Sequence, residues 1–225
     1  MKIALISDIH GNFEALKAVL AEIDRLGVSS VYCLGDVVGY YAQINECCDE
    51  LRAREIPCVM GNHDWYMAGG GFCPRSRSVN DCLVYLRTIV RSEHLDWLRT
   101  FPVQRELDEL RMVHGGWADP IDEYLVPTPE YFERVEGSVF TSGHTHHQVV
   151  QDFGGKLYCN PGSVGQPRDG DPRAAFAIYE DGAFALHRVE YGMQPVFDLM
   201  AAAGFNDYYY GGLKTGAPRL RRLAD

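Results

Sequence analysis

The chain opens with Met1-Lys2-Ile3-Ala4-Leu5-Ile6-Ser7-Asp8-Ile9-His10-Gly11, an apolar run that ends in polar residues. Residues 2–7 predict a buried strand that runs directly into this polar turn. Between Gly11 and Gly27 the apolar residues follow a helical spacing, at Phe13, Leu16, Val19, Leu20 and Ile23. Glycine is a common helix terminator, so the order is strand, loop and helix, as in an α/β fold.

The same order recurs in the next forty residues. We predict a second strand at Ser30–Leu34, a helix at Ile44–Arg54 and a third strand at Pro57–Met60. Each strand is followed by a polar motif at its carboxyl end. Open α/β sheets bind ligands in the crevice beyond these ends, so the motifs are expected to meet there.

The second half of the chain is richer in strands. Residues 78–101 predict a helical segment beside the site, closed by Pro102. Strands are then predicted at Leu110–His114, Ser138–Ser142, Lys156–Cys159, Ala174–Tyr179 and Ala183–Glu190. We therefore expect mixed sheets in a single domain over residues 1–203. Residues 204–225 lack a clear period and are expected to be a peripheral extension, with a solvated end at Arg219, Arg221 and Arg222.

The composition limits the classes of function and partner. A chain of 225 residues can bury a real core, and its formal charge of −10 argues against strong non-specific binding to nucleic acid. Seven cysteines, an odd number, favour a reducing cytoplasm over a disulfide framework. The first apolar run is too short for a signal peptide or a membrane span, so we expect no membrane association.

Five short polar motifs carry the chemistry of the chain. They are Asp8-Ile9-His10, Gly35-Asp36, Gly61-Asn62-His63-Asp64, His114-Gly115 and Gly143-His144-Thr145-His146. Their order and residue types suit a two-metal site, in which a carboxylate bridges the ions and a shared water becomes hydroxide near neutral pH. Glycines beside each motif allow the backbone to approach the metals closely.

Each motif residue receives an expected role. Asp36 is expected to bridge the two metals, with one completed by Asp8, His10 and His146 and the other by Asn62, His114 and His144. His144 and His146 stand two apart, so on an extended strand end both rings would point to one side. Nitrogen and oxygen ligands without thiolate suit manganese, which we favour, with iron, zinc, cobalt or nickel as alternatives.

The remaining polar residues are candidates for catalysis and substrate binding. His63 is expected to act as the general acid for the leaving group, and Asp64 to orient His63 or a ligating histidine. Arg168, and less so Arg173, could hold phosphate. Asn12 and Tyr40 could contact substrate, but a loop-capping amide and a packing aromatic are equal alternatives. Structural roles are expected for His94, His147 and His187.

The motif set resembles the calcineurin-like metallophosphoesterases, in particular their small bacterial and archaeal phosphodiesterase branch. The likeness extends from Met1 to about Tyr191 and includes Gly35-Asp36-Val37-Val38-Gly39-Tyr40 and Asn160-Pro161-Gly162-Ser163. The resemblance implies a four-layer α-β-β-α sandwich of mixed sheets with a dinuclear site at one edge. It also supports the ligand roles given above.

One departure from the family narrows the expected function. Members that dephosphorylate proteins or cleave diadenosine tetraphosphate usually carry Asp and Arg where this chain has Gly39 and Tyr40. We therefore expect a metal-dependent phosphoesterase acting on a phosphodiester or phosphomonoester, with a nucleotide or another small phosphoester as substrate. The alternatives are a Ser/Thr phosphoprotein phosphatase, a dinucleoside polyphosphate hydrolase, or a non-catalytic scaffold of the same fold, against which the presence of His63 argues. The sequence does not indicate the oligomeric state.

Overall fold

The computed structural model describes residues 2–217, which form two β-sheets and a set of mostly short helices. The strands are β1 (Lys2–Ile6), β2 (Ser30–Cys33), β3 (Gln104–Leu107), β4 (Leu110–Val113), β5 (Val139–Thr141), β6 (Val149–Asp152), β7 (Leu157–Asn160), β8 (Ala174–Glu180) and β9 (Ala183–Val189). The helices are α1 (Phe13–Arg25), α2 (Ile44–Ala53), α3 (Asn62–Gly69), α4 (Arg77–Ile89), α5 (Ser92–Leu98), α6 (Pro129–Phe132), α7 (Gln194–Ala202), α8 (Asp207–Tyr210) and a 3₁₀ helix, Gly211–Lys214.

Two mixed sheets form the centre of the fold. The first has the order β2-β1-β8-β9 and the second β3-β4-β5-β7-β6. In the first sheet β1 and β2 are parallel, and in the second β4, β5 and β7 are parallel, while the remaining pairs are antiparallel. The sheets face each other through a buried apolar cluster that includes Ile3, Leu5, Leu110, Met112 and Tyr179.

Helices cover the outer faces of both sheets. Residues Leu16, Val19, Leu20 and Ile23 of α1 are buried in one cluster with Ala4 and Ile6 of β1. On the other side a smaller cluster joins Phe132 of α6 to Phe140 and Tyr158. The expected four-layer α-β-β-α sandwich of mixed sheets is therefore confirmed, although the fourth layer is thin because α6 spans only four residues.

Two predicted elements differ from the structure. The third strand at Pro57–Met60 is reduced to a single bridge, Cys33 with Cys58, because the amide of Met60 bonds instead to the carbonyl of Pro102 at 2.8 Å. The predicted helical segment 78–101 is two helices, α4 and α5. Its break at Val90 is stabilised by Asn45, whose side chain accepts from the amide of Arg91 and donates to the carbonyl of Ile89.

The described part of the C-terminal extension, residues 204–217, packs against the rest of the fold. Leu213 of the 3₁₀ helix packs with Tyr41, Val196 and Met200 in a buried cluster, and the aromatic residues of α8 lie against it. The packing explains why a segment without helical period is nevertheless structured, since tertiary contacts rather than propensity hold it. Arg219, Arg221 and Arg222, the expected solvated end, lie outside the described residues.

Membrane association was not expected from the sequence. Within residues 2–217 no helix is both long and apolar enough to cross a bilayer. All seven cysteines are buried and unpaired in this part of the chain, as expected for thiols that serve as small core residues. The cytoplasmic location, and the division into one domain over 1–203 with an extension, stay predictions.

The packing between the sheets predicts the cost of a cavity. Leu110→Ala removes a fully buried side chain and should lower the free energy of unfolding by about 2–5 kcal/mol. The matched control is Leu199→Ala, since Leu199 is 42% exposed and its truncation should cost less than about 0.5 kcal/mol. Urea denaturation of both variants measures the difference. Equal midpoints would contradict the burial of Leu110 between the sheets.

Candidate metal centre

The motif residues converge because parallel strands end at the same edge of each sheet. In the first sheet the loops after β1 and β2 bond to each other, from the amide of Asp8 to the carbonyl of Gly35 at 3.0 Å and from His10 to Asp36 at 2.9 Å. In the second sheet the amide of Gly143 bonds to the carbonyl of His114 at 2.9 Å. The amide of His144 then donates to Oδ2 of Asp8 at 3.0 Å, which joins the two sheets at the site.

Two groups of side chains come close enough to hold a metal ion each. Asp8, His10 and His146 form one group, and Asp36, His114 and His144 form the other. Within them His146 Nε2 lies 3.2 Å from Asp8 Oδ1, and His114 Nε2 lies 3.3 Å from Asp36 Oδ2. The first group contains the residues predicted for one metal, and the second combines His114 and His144, predicted for the other metal, with the predicted bridge Asp36.

The remaining predicted ligand, Asn62, also reaches the centre. Its Oδ1 lies 3.2 Å from His114 Nε2. A third group combines His63 with His10 and Asp36, so the predicted acid stands at the same place as the predicted ligands. In the described part of the chain His94, His147 and His187 belong to none of these groups.

Asp36 lies between the two groups. Its Oδ2 is 3.7 Å from His10 Nε2 in one group and 3.3 Å from His114 Nε2 in the other. That oxygen is buried and accepts no hydrogen bond, and the same is true of Oδ1 of Asp8. Buried carboxylate oxygens without partners are costly. Their placement therefore fits cations at this position.

Backbone carbonyls orient three of the histidine rings. Nδ1 of His10 faces the carbonyl of Val38 at 3.2 Å, Nδ1 of His114 faces Leu34 at 2.7 Å, and Nδ1 of His146 faces Gln166 at 2.6 Å. A carbonyl fixes the proton on Nδ1 and directs Nε2 inward, as in known metal sites. His10 Nε2 and His146 Nε2 consequently lie only 3.1 Å apart, an arrangement that requires a cation or a proton between them.

The charges of the centre follow from burial and from these neighbours. Burial opposes ionisation of Asp36, but His114, His63 and His10 outweigh it, and the pKa of Asp36 lies well below its usual range. Burial also opposes ionisation of the His144 ring and lowers its pKa to about 3. Burial acts to lower the pKa of His114 as well, but the charges of Asp36 and Asp8 outweigh it and raise this pKa to about 10. The carboxylates of Asp8 and Asp36 and the ring of His114 therefore stabilise each other's charged forms.

Five of the predicted ligands have left-handed backbone conformations. Their φ angles are 54° for Asp8, 53° for His10, 55° for Asp36, 65° for His144 and 61° for His146. Such angles are uncommon outside glycine and cluster at functional sites. They also correct the expected geometry of His144 and His146, which lie in a turn after β5 rather than on an extended strand end. The turn sends His144 to one group and His146 to the other.

Two glycines make room for the centre. A Cβ on Gly61 would overlap the side chain of Asp36. At Gly39, where φ is 144°, a Cβ would lie 2.5 Å from Nδ1 of His10 and 2.8 Å from Nδ1 of His63. The departure from the family pattern at Gly39 therefore lets these two rings pack closely.

The His63 ring lies between the centre and an aromatic wall. Its centroid is 4.7 Å from that of His10 and 5.0 Å from that of Tyr40. Its backbone amide donates to Oδ1 of Asp36 at 2.9 Å, while its Nδ1 is buried without a partner. Burial lowers the pKa of His63 to about 4; Asp36 opposes this shift and Arg168 adds to it.

Asp64 acts on the loops rather than on a histidine ring. Its oxygens accept from the amides of Asp36 at 2.8 Å, Val38 at 3.2 Å and Gly61 at 3.2 Å. Because both oxygens are directed to the backbone, the structure does not give Asp64 the expected contact with His63 or a ligating histidine. Burial and the charge of Asp36 raise the pKa of Asp64 to about 7.

Asn12 takes the capping role that the sequence left open. Its Oδ1 accepts from the amide of Ala15 at the start of α1, and its Nδ2 donates to the carbonyl of Gly165 and the hydroxyl of Tyr191. With both polar atoms engaged and the residue fully buried, Asn12 is not available to contact a substrate. The expected substrate contact at Asn12 is therefore corrected to a helix cap.

Arg168 points toward the centre and is held by uncharged groups. Its Nη2 donates to the hydroxyl of Tyr40 at 2.9 Å and to Oε1 of Gln166 at 2.6 Å. Its positive charge is close enough to lower the pKa values of His63 and His146. Since the hydrogen bonds of its guanidinium go to the neutral side chains of Tyr40 and Gln166, its charge is free to attract an anion. Arg173, the weaker candidate, is instead paired with Asp171.

Sequence reasoning missed Asp122. Its Oδ1 lies 3.6 Å from Nε2 of His144, and its Oδ2 accepts from Nη1 of Arg75 at 2.8 Å and from the Tyr66 hydroxyl at 3.3 Å. Asp122 makes no hydrogen bond to His144 and is held instead by Arg75, so it places a negative charge beside the His144 ring. No motif surrounds Asp122 in the sequence, so only the approach of the two loops reveals it.

Comparison with known proteins identifies the family. The family model described as calcineurin-like phosphoesterase superfamily domain matches residues 1–182. A solved metallophosphoesterase from Sphaerobacter thermophilus is 32% identical, with a TM-score of 0.84, and the match covers 96% of this chain and all of that one.

Two curated relatives extend the comparison. An uncharacterized protein of Methanocaldococcus jannaschii is 33% identical, over 87% of this chain and 90% of its own length. The phosphodiesterase YfcE of Escherichia coli is 27% identical, over 83% of this chain and 91% of its own length. The chain belongs to the calcineurin-like phosphoesterase superfamily and is a phosphoester hydrolase of the metallophosphoesterase type.

Proposed function

We propose that the chain is a metal-dependent phosphodiesterase that uses a dinuclear centre. The position of Asp36 Oδ2 between His10 and His114, buried and without a hydrogen bond, is the observation that carries the proposal. One ion is assigned to Asp8, His10 and His146, the other to Asn62, His114 and His144, with Asp36 shared. The donor set of nitrogen and oxygen favours manganese, with iron, zinc, cobalt and nickel as alternatives.

The chain's own residues then have distinct tasks. Two divalent cations would polarise the phosphoryl oxygens and lower the pKa of an attacking water. Arg168 supplies a fixed positive charge that holds the substrate phosphate at the centre. His63 donates a proton or a hydrogen bond to the departing oxygen, since Nδ1 of its ring has no partner in the protein. Asp64 fixes the loops that carry Asp36 and His63 rather than acting on the substrate.

Preference for a diester is supported by two observations. Gly39 and Tyr40 stand where the phosphatase and tetraphosphatase members usually carry Asp and Arg, so this chain has no Arg at that position. Arg168, which donates to the Tyr40 hydroxyl, is the cation that lies there instead. The relative YfcE is a phosphodiesterase by name. Phosphomonoesters, phosphoproteins and dinucleoside polyphosphates are the alternative substrates, and a scaffold without turnover is the alternative role.

The first test compares a diester with a monoester. Protein stripped of metal and reloaded with manganese should hydrolyse bis-p-nitrophenyl phosphate faster than p-nitrophenyl phosphate. His63→Ala should retain its metal but lose about 10²–10⁴ of the rate, as expected for a general acid. Faster monoester cleavage would redirect the assignment to a phosphatase. No turnover of either ester with metal bound would favour the scaffold.

The shared position of Asp36 predicts the metal content of a variant. Asp36→Asn keeps the size of the side chain and a residue type that tolerates left-handed φ, but removes the bridging charge. Metal analysis after reloading should show fewer than two ions per chain. Asp181→Asn is the matched control, because Asp181 also has a left-handed φ, of 51°, but lies in the turn between β8 and β9. Two ions retained in Asp36→Asn would refute the bridging role.

The uncharged partners of Arg168 predict a role in binding. Arg168→Met should raise KM for the diester about tenfold or more, since hydrogen bonds to charged groups contribute about 1.5–3 kcal/mol. Arg173→Met is the control, because Arg173 is exposed and paired with Asp171. Steady-state kinetics of both variants measures the effect. An unchanged KM in Arg168→Met, or an equal rise in both, would rule out this contact.

A further inference from the structure

A cavity of about 150 Å³ opens beside the candidate metal centre. We call it the tyrosine pocket, after Tyr40, Tyr41, Tyr208 and Tyr209, which line it together with Gln166 and Arg168. Neither the metal ligands nor the expected acid lies among its lining residues. Of its lining residues only Arg168 has a task in the chemistry described above.

Tyr40 and Arg168 connect this pocket to the centre. The ring of Tyr40 lies 4.8 Å from that of His10 and 5.0 Å from that of His63, measured between centroids. Arg168, which bonds to the Tyr40 hydroxyl, is also a lining residue. A phosphate at the centre would thus sit one aromatic ring away from the pocket, with a guanidinium at the boundary.

The polar atoms of the pocket are largely engaged within the protein. Gln166 donates to the Tyr41 hydroxyl at 2.9 Å and accepts from Arg168, and the Tyr209 hydroxyl donates to Asp81 at 2.9 Å. What remains available to a ligand is mainly the surface of aromatic rings. Stacking on aromatic side chains contributes about 1–3 kcal/mol per nucleobase and requires no particular base.

The outer wall of the pocket is built by the C-terminal extension. The ring of Tyr209 packs edge-on against Phe205 at 4.8 Å, and Phe205 packs against Tyr85 of α4 at 5.4 Å. Tyr208 beside it is 42% exposed although it borders a cavity. The partly exposed ring of Tyr208 thus offers an apolar face to a concave pocket, as ligand sites do.

We propose that the tyrosine pocket binds the nucleobase of a nucleoside phosphodiester whose phosphate lies at the metal centre. The inference rests on the proposed phosphodiesterase function and names its substrate class. Tyr208 stacks against the base, Tyr209, whose ring is perpendicular to that of Tyr208, meets the edge of the base, and Arg168 holds the phosphate next to it. The C-terminal extension is thereby the element that determines substrate specificity.

Two esters with the same leaving group test this inference. The p-nitrophenyl ester of thymidine 5′-phosphate and methyl p-nitrophenyl phosphate both release p-nitrophenolate and differ only in the group that remains on phosphorus. With manganese-loaded protein we expect kcat/KM to be about tenfold higher for the thymidine ester, which corresponds to about 1.4 kcal/mol. Tyr208→Ala should abolish most of that advantage and leave the methyl ester unaffected. Leu199→Ala, equally exposed but absent from the pocket, should preserve the advantage.

The outcomes separate this inference from the proposed function. Equal kcat/KM for the two esters, unchanged by Tyr208→Ala, would overturn the pocket assignment while metal-dependent turnover of both still supports a phosphodiesterase. If neither ester is cleaved, the proposed function fails, and ligand binding measured by calorimetry then tests the pocket assignment. Tighter binding of thymidine 5′-phosphate than of methyl phosphate, lost in Tyr208→Ala, would support it, and equal binding would refute it.

Discussion

The structure depends on two buried carboxylates, Asp8 and Asp36, each of which directs one oxygen toward histidine nitrogens. Each has one oxygen held by the backbone and one without a partner. The cost of burying such charges is opposed by the neighbouring histidines, with His146 Nε2 3.2 Å from Asp8 Oδ1 and His114 Nε2 3.3 Å from Asp36 Oδ2. The same arrangement leaves both sheets joined at their polar edge, because Asp8 in one sheet accepts from His144 in the other. The binding site is thus also a structural junction.

The surrounding loops are arranged to maintain this junction. Backbone amides of Asp36, Val38 and Gly61 converge on the carboxylate of Asp64, so the loops after β2 and before α3 are held as one unit. Carbonyls from other loops fix the tautomers of His10, His114 and His146. These contacts orient the predicted ligands and hold the loops that carry them.

Much of the fold and of the candidate centre could be predicted because the patterns that indicate them lie within short stretches of the sequence. Apolar runs ending in polar motifs located β1 and β2, and the motif order placed Asp8 and Asp36 together. The sequence did not reveal β3 and β6, whose short polar segments show little alternation. Asp122 was missed because its relation to His144 arises only when two distant loops meet. Asn12 was ambiguous because capping and substrate contact favour the same residue type.

The left-handed backbone conformation of five predicted ligands restricts which residue types can replace them. A replacement must both coordinate a cation and tolerate positive φ, and Asp, Asn and His are the residue types that do so most readily. Glutamate offers the same donor atoms as Asp36, but its longer side chain would displace an ion that the fixed loops cannot follow. Altered metal preference would therefore arise through exchange among these three residue types or through the residues behind them, such as Asp122. The left-handed backbone at these five positions thus limits which substitutions can alter the metal preference.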